Sequence, residues 1–371
     1  MATQLAEQAL SPRMGVGAGP AVHVSERQRD LVEIVRRELR EGRLAFVSTE
    51  CVCGSGQTSV LIANVDRYGL ALRSVLCRAC GTVRADPYLD DDGLRTFYSN
   101  YYQELYARAP DPAAYFEGQA DYGRRVLKAI RQIAPCARTA IEIGCGAGGA
   151  LSVLRDAGFA TAGCDHSREL IAFGSARGID HLVVGGLEDL AGAHRALREV
   201  DIVYLHHVFE HLSDPASFLR SCRAVLSNRG VLIAIVPDIS RIHAFPFPAG
   251  DVRLFLHFAH KYNYSRLGLR MLGTRCGWEV AFLDGFASRN APELWTVLKP
   301  ADTPAGGDPA ESGGDEMLTY LRQTEARYRF GLLSGYKVGP GGRMQRLARE
   351  VLPASVIRWI AAARRMATGS K

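Results

Sequence analysis

The stretch Thr139–Ser167, TAIEIGCGAGGALSVLRDAGFATAGCDHS, decides the fold. Thr139–Ile143 is a short apolar run, suited to a strand buried on both faces. Gly144, Gly146, Gly148 and Gly149 follow and allow a sharp turn with bare main chain open to a ligand. Ala150–Ala157 has helical spacing, with Leu151, Val153 and Leu154 available to a sheet. Phe159–Cys164 reads as a second strand, and Asp165 stands at its carboxyl end. Strand, glycine turn, helix, strand and acid make a nucleotide-binding half-fold. The carboxylate, about 20 residues after the turn, is placed for two ribose hydroxyls.

The glycines alone fit both GxGxxG (Gly144, Gly146, Gly149) and GxGxG (Gly144, Gly146, Gly148). Glu142 lies inside the strand, just before them. A carboxylate there repels a pyrophosphate but can receive an ammonium group. Further on, Asp201–Leu212, DIVYLHHVFEHL, is a strand running into a loop with histidines and a Glu-His pair. Together these motifs resemble class I S-adenosylmethionine (SAM) dependent methyltransferases, over roughly residues 134–300. That family opens with E-x-G-x-G-x-G, and many members end the fourth strand in a variant of VLEHL, here Val208–Leu212. The resemblance implies an α/β, Rossmann-like sheet of seven strands. A closing hairpin from Trp278–Leu283 and Glu293–Leu298 separates it from the dinucleotide fold, so NAD-dependent redox chemistry is set aside.

The chain has 371 residues, 47% of them hydrophobic, which allows about two domains and ample core. Its net charge of +6 is matched by residues 341–371 alone, where seven basic side chains face one acid. The remainder is about neutral, which argues against a broad nucleic-acid footprint. No apolar stretch at the start reads as a signal peptide and no run approaches 18 apolar residues, so a cytoplasmic protein is expected. Nine cysteines then suggest thiols or metal ligands.

Residues 1–45 are expected to be a loose arm followed by an amphipathic helix, Glu26–Glu41, with Leu31, Ile34, Val35 and Leu39 on one face. In 46–90 stand Cys51-Val-Cys53-Gly and Cys77-Arg-Ala-Cys80-Gly, with 23 residues between the pairs. Four thiolates suit tetrahedral zinc, and the alternating segment Thr58–Arg73 reads as a hairpin. The cysteines look like the two knuckles of a zinc ribbon, a closed structural site without catalysis. The remaining cysteines (136, 145, 164, 222 and 276) stand singly, as small buried residues. Residues 91–133 are linker helices, and 301–371 a flexible linker with two helices. The second of these, Arg343–Met366, is basic and suits an acidic membrane surface or a partner.

A cysteine ribbon ending CRACGTVRADP, then YSNYYQELY, then this core, resembles a bacterial family of zinc-ribbon methyltransferases of sugar, polysaccharide and natural-product pathways. The resemblance implies site residues. Gly144, Gly146 and Gly148 would form the bed of the methionyl part, Glu142 would sit behind the loop, either ordering it or meeting the ammonium through water, and Asp165 would take the ribose hydroxyls. His166 would lie beside the adenine, with Leu187 (by its backbone) and Glu188 at the ring edge. Tyr102, among Tyr98, Tyr101 and Tyr106, would close over the donor or the substrate. His206 and His207 would wall the methyl-donor pocket.

Glu210 and His211 suit proton abstraction, because histidine titrates near neutrality. Phe245–His260 reads as a lid. His260 matches a base that sugar C-methyltransferases carry, but Ala259 stands where their glutamate is, which favours O- or N-transfer. A metal on His207 and His211 lacks a third ligand in the sequence. The expectation is SAM-dependent methyl transfer to a hydroxyl of a small molecule or saccharide. Its rivals are a SAM- or partner-binding protein without turnover and an RNA methyltransferase.

Overall fold

The computed structural model describes residues 8–56, 58–106, 111–193, 199–244, 250–287, 292–301 and 313–334. The basic helix expected at Arg343–Met366 and most of the 301–315 linker lie outside these residues. So does the front of the expected lid, at 245–249.

The first 90 residues contain helix α1 (Glu26–Arg40) and strands β1 (Phe46–Val47), β2 (Ser59–Val65), β3 (Ala71–Cys77), β4 (Val83–Ala85) and β5 (Tyr88–Leu89). α1 starts on a capping box, in which Ser25 accepts from the amide of Gln28 and the Gln28 side chain accepts in return. Val35 is buried and Leu31 and Leu39 pack beside it as expected, and Val32 joins them as a buried residue. In the arm before α1, residues 8–24 are tied to the body where they pack. Met14 is fully buried, and Arg13 bridges Asp251 and Glu325.

A helical passage follows: α2 (Asp91–Phe97), a π-turn at Tyr98–Tyr102 and a last turn, α3 (Gln103–Leu105). Then come α4 (Pro112–Ile133), β6 (Thr139–Ile143), α5 (Gly149–Asp156), β7 (Ala160–Asp165), α6 (Arg168–Ala176), β8 (Leu182–Val184), α7 (Leu187–Ala193) and β9 (Val200–His206). α8 (Pro215–Val225) and β10 (Leu226–Pro237) continue the alternation. The chain ends its described part with β11 (Tyr262–Asn263), α9 (Arg266–Arg275), β12 (Trp278–Phe282), β13 (Glu293–Pro300) and α10 (Gly314–Ser334).

The large sheet has seven strands in the order β12-β13-β10-β9-β6-β7-β8. β13 runs antiparallel to both β10 and β12, while β10, β9, β6, β7 and β8 pair in parallel. Apolar strands covered by helices on both faces explain the two large cores, one around Ile143, Leu205 and Val236, the other around Ala150, Ile202 and Ile233. The order reverses between β6 and β9, so a crevice opens at their carboxyl ends.

The second sheet, β11-β4-β3-β2, joins the cysteine-bearing hairpin to the main body. β2 and β3 form the antiparallel pair, and β11, from far along the chain, completes the sheet on β4. The start of α10 lies over the second cysteine knuckle, where the Gly313 amide donates to the carbonyl of Ala79 at 3.0 Å. Two expectations need correction. Phe258 and Ala259 are fully buried in a core with Tyr88, Phe97 and Val35, because the segment fills the gap between ribbon and linker and does not hang over the site as a lid. Cys136 is exposed and Cys276 half-buried, since both stand just past helix ends. Among the described residues, no helix is long and apolar enough to cross a membrane.

Candidate active site

The glycine loop leaves β6 at Gly144 and enters α5 at Gly149. Gly144 has φ +72°, and a Cβ there would lie 2.4 Å from a methyl of Val208. Gly146 has φ +52°, and its Cβ would meet Tyr115 and Gln119 at 2.7 Å. The loop is therefore closed to side chains from two sides.

Gln119, on α4, holds it in shape. Its Nε2 donates to the Cys145 carbonyl at 2.7 Å, and its Oε1 accepts from the Ala147 amide at 3.0 Å. This buried amide was not singled out from the sequence; its helical setting carries no motif. Asp165 closes the other side: its carboxylate accepts from the Gly146 amide at 2.9 Å and the Ser167 amide at 2.7 Å. It thus orders the loop while staying half-exposed at the strand end.

Glu142 is fully buried beneath the loop. Tyr122 and Tyr204 donate to its two oxygens, the latter at 2.9 Å. Burial pushes the carboxyl up to about 8, although both phenols favour its ionised form. The contact is with the phenols, so Glu142 orders the floor of the site. Leu187 is buried at the start of α7, whereas His166 and Glu188 are exposed.

β9 delivers the histidines. His206 is stacked on Tyr122, with centroids 4.0 Å apart, and lies 3.4 Å from Glu293. Burial, then the neighbouring His207, takes His206 down to about 4, so it is neutral. His207 adopts φ +55°, an unusual backbone for a residue with a side chain. Its Nδ1 lies 3.3 Å from Glu210 and its Nε2 3.8 Å from Glu293. Burial opposes its charge, but the two carboxylates outweigh burial and raise it to about 9. Glu293 is further paired with Arg125 at 2.5 Å.

Glu210 is the centre of the other half. It is 1% exposed and one oxygen, Oε2, has no hydrogen-bond partner. Burial works against its charge, yet the bond from His207 and the surrounding imidazoles hold it down at about 2. His211 and His260 each place Nε2 4.0 Å from Glu210 Oε1. Burial keeps both imidazoles below their usual range, so they are neutral near pH 7.

The His211 tautomer is set by its partners. Nδ1 lies 3.0 Å from the Ala259 carbonyl, which can only accept, and 2.9 Å from the Tyr98 hydroxyl. Nδ1 therefore carries the proton, and Nε2 keeps a lone pair. Tyr102 stands 6.0 Å from His211, ring to ring. Burial, then Glu210, raises its hydroxyl to about 12, and Asp165 adds to the shift. His257, stacked on His260 at 4.2 Å and on Tyr106 at 3.7 Å, was not singled out from the sequence. The third ligand missing for a metal on His207 and His211 does not appear as such. The two histidines fall into separate trios, His206 with His207 and Glu293, and Glu210 with His211 and His260.

In the cysteine cluster, the four sulfurs lie within 4.8 Å of one another, with Cys51–Cys80 at 3.5 Å and Cys53–Cys77 at 3.7 Å. A tetrahedron with Zn–S of about 2.3 Å has edges of about 3.8 Å, so the donors fit zinc. The Arg275 guanidinium lies over Gly54, where a Cβ would come within 2.3 Å of it, and donates to the Val52 carbonyl at 2.8 Å. A cation thus backs the thiol cluster.

Residues 141–234 match the family described as "Methyltransferase domain". The chain is similar to a ubiquinone biosynthesis O-methyltransferase of Ralstonia nicotianae, 29% identical over 133 residues, covering 35% of this chain and 56% of the relative. A namesake from Haemophilus ducreyi is 30% identical over 99 residues, covering 25% of this chain and 42% of the relative. The chain thus spans about half the length of the curated relatives it matches. Among solved structures, the plantazolicin methyltransferase BpumL with SAH aligns at TM-score 0.41 and 11% identity, over 56% of this chain and 93% of that one. The mitomycin 7-O-methyltransferase MmcR aligns at TM-score 0.42 and 17% identity, over 56% and 60%. The matched domain contains the glycine loop, Asp165 and His206–His211, and stops before the segment that carries His257 and His260.

Proposed function

We propose that this chain is a SAM-dependent methyltransferase that acts on a hydroxyl of a small-molecule or saccharide acceptor. The observation that carries this is the convergence of the glycine loop, Asp165 and the neutral, oriented His211 on the carboxyl edge of β6, β7 and β9. The O-methyltransferase names of the relatives agree with a hydroxyl acceptor.

SAM, when bound, supplies an electrophilic methyl group whose bond to sulfur breaks as the acceptor oxygen attacks, leaving S-adenosylhomocysteine. Gly144, Gly146 and Gly148 form the bed of the methionyl part, Asp165 takes the ribose hydroxyls, and Leu187, Glu188 and His166 border the adenine. Tyr102 and His206 wall the reacting end. The acceptor hydroxyl gives its proton to Nε2 of His211, and Glu210, ionised at 4.0 Å, stabilises the imidazolium that forms. His260 holds the same relation to Glu210 from the other side and bounds the acceptor. His207 keeps Glu210 ionised. Positioning accounts for much of such a transfer, so the base adds to a rate that orientation already raises.

The ribbon cysteines Cys51, Cys53, Cys77 and Cys80 would hold zinc in a closed site that leaves no position for substrate. Calorimetric titration with SAM and S-adenosylhomocysteine, with NAD as control, tests the reading. Micromolar binding of the first two and none of NAD supports it; NAD binding alone refutes it.

A further inference from the structure

Arg67 belongs to the tight turn between β2 and β3, closed by the Gly69 amide on the Asp66 carbonyl at 3.1 Å. The turn lies at the end of the hairpin opposite Cys77, which pairs with Ser59. The guanidinium sits 5.2 Å from the ring centres of both Tyr68 and Tyr106. Tyr106 is itself stacked on His257, which is stacked on His260. After burial, the cation at Arg67 is among the causes that keep His257 and His260 below their usual range. A positive charge therefore stands beside the wall that bounds the acceptor.

Among the described residues the charge is felt by the carboxylate of Asp66, but no carboxylate accepts from its Nε. Arg67 is half-buried, and its Nε is buried without a hydrogen-bond partner. The neighbouring carboxylate, Asp66, is fully committed. One oxygen accepts from the amides of Tyr68 and Leu70 at 2.8 and 2.9 Å. The other accepts from the Phe258 amide at 3.2 Å and the Tyr106 hydroxyl at 3.3 Å. Two aromatic faces hold a guanidinium in place but leave its in-plane donors unused. A desolvated cation with free donors is costly unless an anion completes it.

We propose that Arg67 anchors an oxyanion of the acceptor, a phosphoryl or carboxylate group, so that the ribbon hairpin selects acidic acceptors for the site described above. The inference rests on the methyltransferase reading and deepens it. It gives the ribbon a part in recognition through the tip of its hairpin, apart from its thiol cluster.

The experiment titrates the full chain, saturated with S-adenosylhomocysteine, with inorganic diphosphate and with malonate, by calorimetry and thermal shift. Saturable binding of at least one dianion is expected, weakened tenfold or more in Arg67→Gln, partly kept in Arg67→Lys, with S-adenosylhomocysteine affinity equal in all three. Dianion binding unchanged in Arg67→Gln, or no saturable response in the wild type, overturns the proposal. So does a loss of S-adenosylhomocysteine affinity in Arg67→Gln, because the guanidinium would then serve the methionyl carboxylate. If the wild type does not bind S-adenosylhomocysteine, the methyltransferase reading falls first, and the same dianion titration on the unliganded chain still decides whether Arg67 binds anions.

Discussion

The two sides of the crevice hold their carboxylates in opposite states. On the donor side Glu142 sits between two phenols, with no cation in contact, and burial lifts it to about 8. On the acceptor side Glu210 is as deeply buried, yet His207 and the imidazoles around it keep it at about 2. Burial is common to both, so the difference comes from the partners: neutral donors soften a desolvation penalty, and a protonated imidazole reverses it. The donor side is built for fixed shape. On the proposed function, the acceptor side keeps a negative charge next to the imidazole that would take up the proton. It is also assembled from more distant parts: the ribbon turn, the tyrosine passage, the end of β9 and the segment before β11.

The comparison breaks most visibly at the ribbon. Cys77→Ser, or exhaustive chelation, is expected to cost several kcal/mol of stability, because the thiol cluster anchors the sheet to which β11 belongs. Zinc at one per chain by metal analysis and a lowered Tm in the variant check this; freshly purified protein without zinc refutes the site. Next in size, His211→Gln should slow turnover by roughly 10²–10⁴-fold, the usual worth of a positioned base, with S-adenosylhomocysteine affinity kept. If kcat is unchanged, positioning alone carries the transfer. On the donor side, Asp165→Ala should weaken S-adenosylhomocysteine by about 1.5–3 kcal/mol, the range for hydrogen bonds to a charged group. Calorimetry reads it, and unchanged affinity removes the ribose assignment.

The pH dependence of stability separates the two carboxylates by sign. Glu142 binds its proton more tightly folded than unfolded, so its contribution is present below the ordinary carboxylate value and is lost as pH rises toward 8. The slope is at most about 1.4 kcal/mol per pH unit, that of one proton. Glu142→Gln should flatten the fall in denaturation midpoint between pH 5 and 8. Glu210 has the reverse sign. Its contribution is present above the ordinary carboxylate value and is lost as pH falls toward 2, so Glu210→Gln should flatten the acid limb instead. Identical profiles for the two variants would show that the partners do not set the two states.

The donor side was largely legible in the sequence because its parts are local. The strand, the glycine loop and Asp165 lie within 29 consecutive residues, and backbone geometry ties each to its neighbours. The first, second and fourth strands and the closing hairpin were readable as local runs of strand length, and the seven-stranded sheet followed from the family resemblance. The four cysteines could be read as a set because close spacing within each pair is itself a local signal. Charge states, tautomers and partners were not readable. Gln119 reaches the loop from 26 residues earlier, and Ala259 orients His211 across 48 residues. Arg67 reaches Tyr106, which stacks on His257, only because β2 and β3 turn where they do, and Phe258 is core only because a distant linker packs on it. Sequence alone determines the features set by the period of the chain and the reach of adjacent residues. The tertiary structure decides which polar group stands beside which at low dielectric, and in this protein that choice separates a neutral Glu142 from an ionised Glu210.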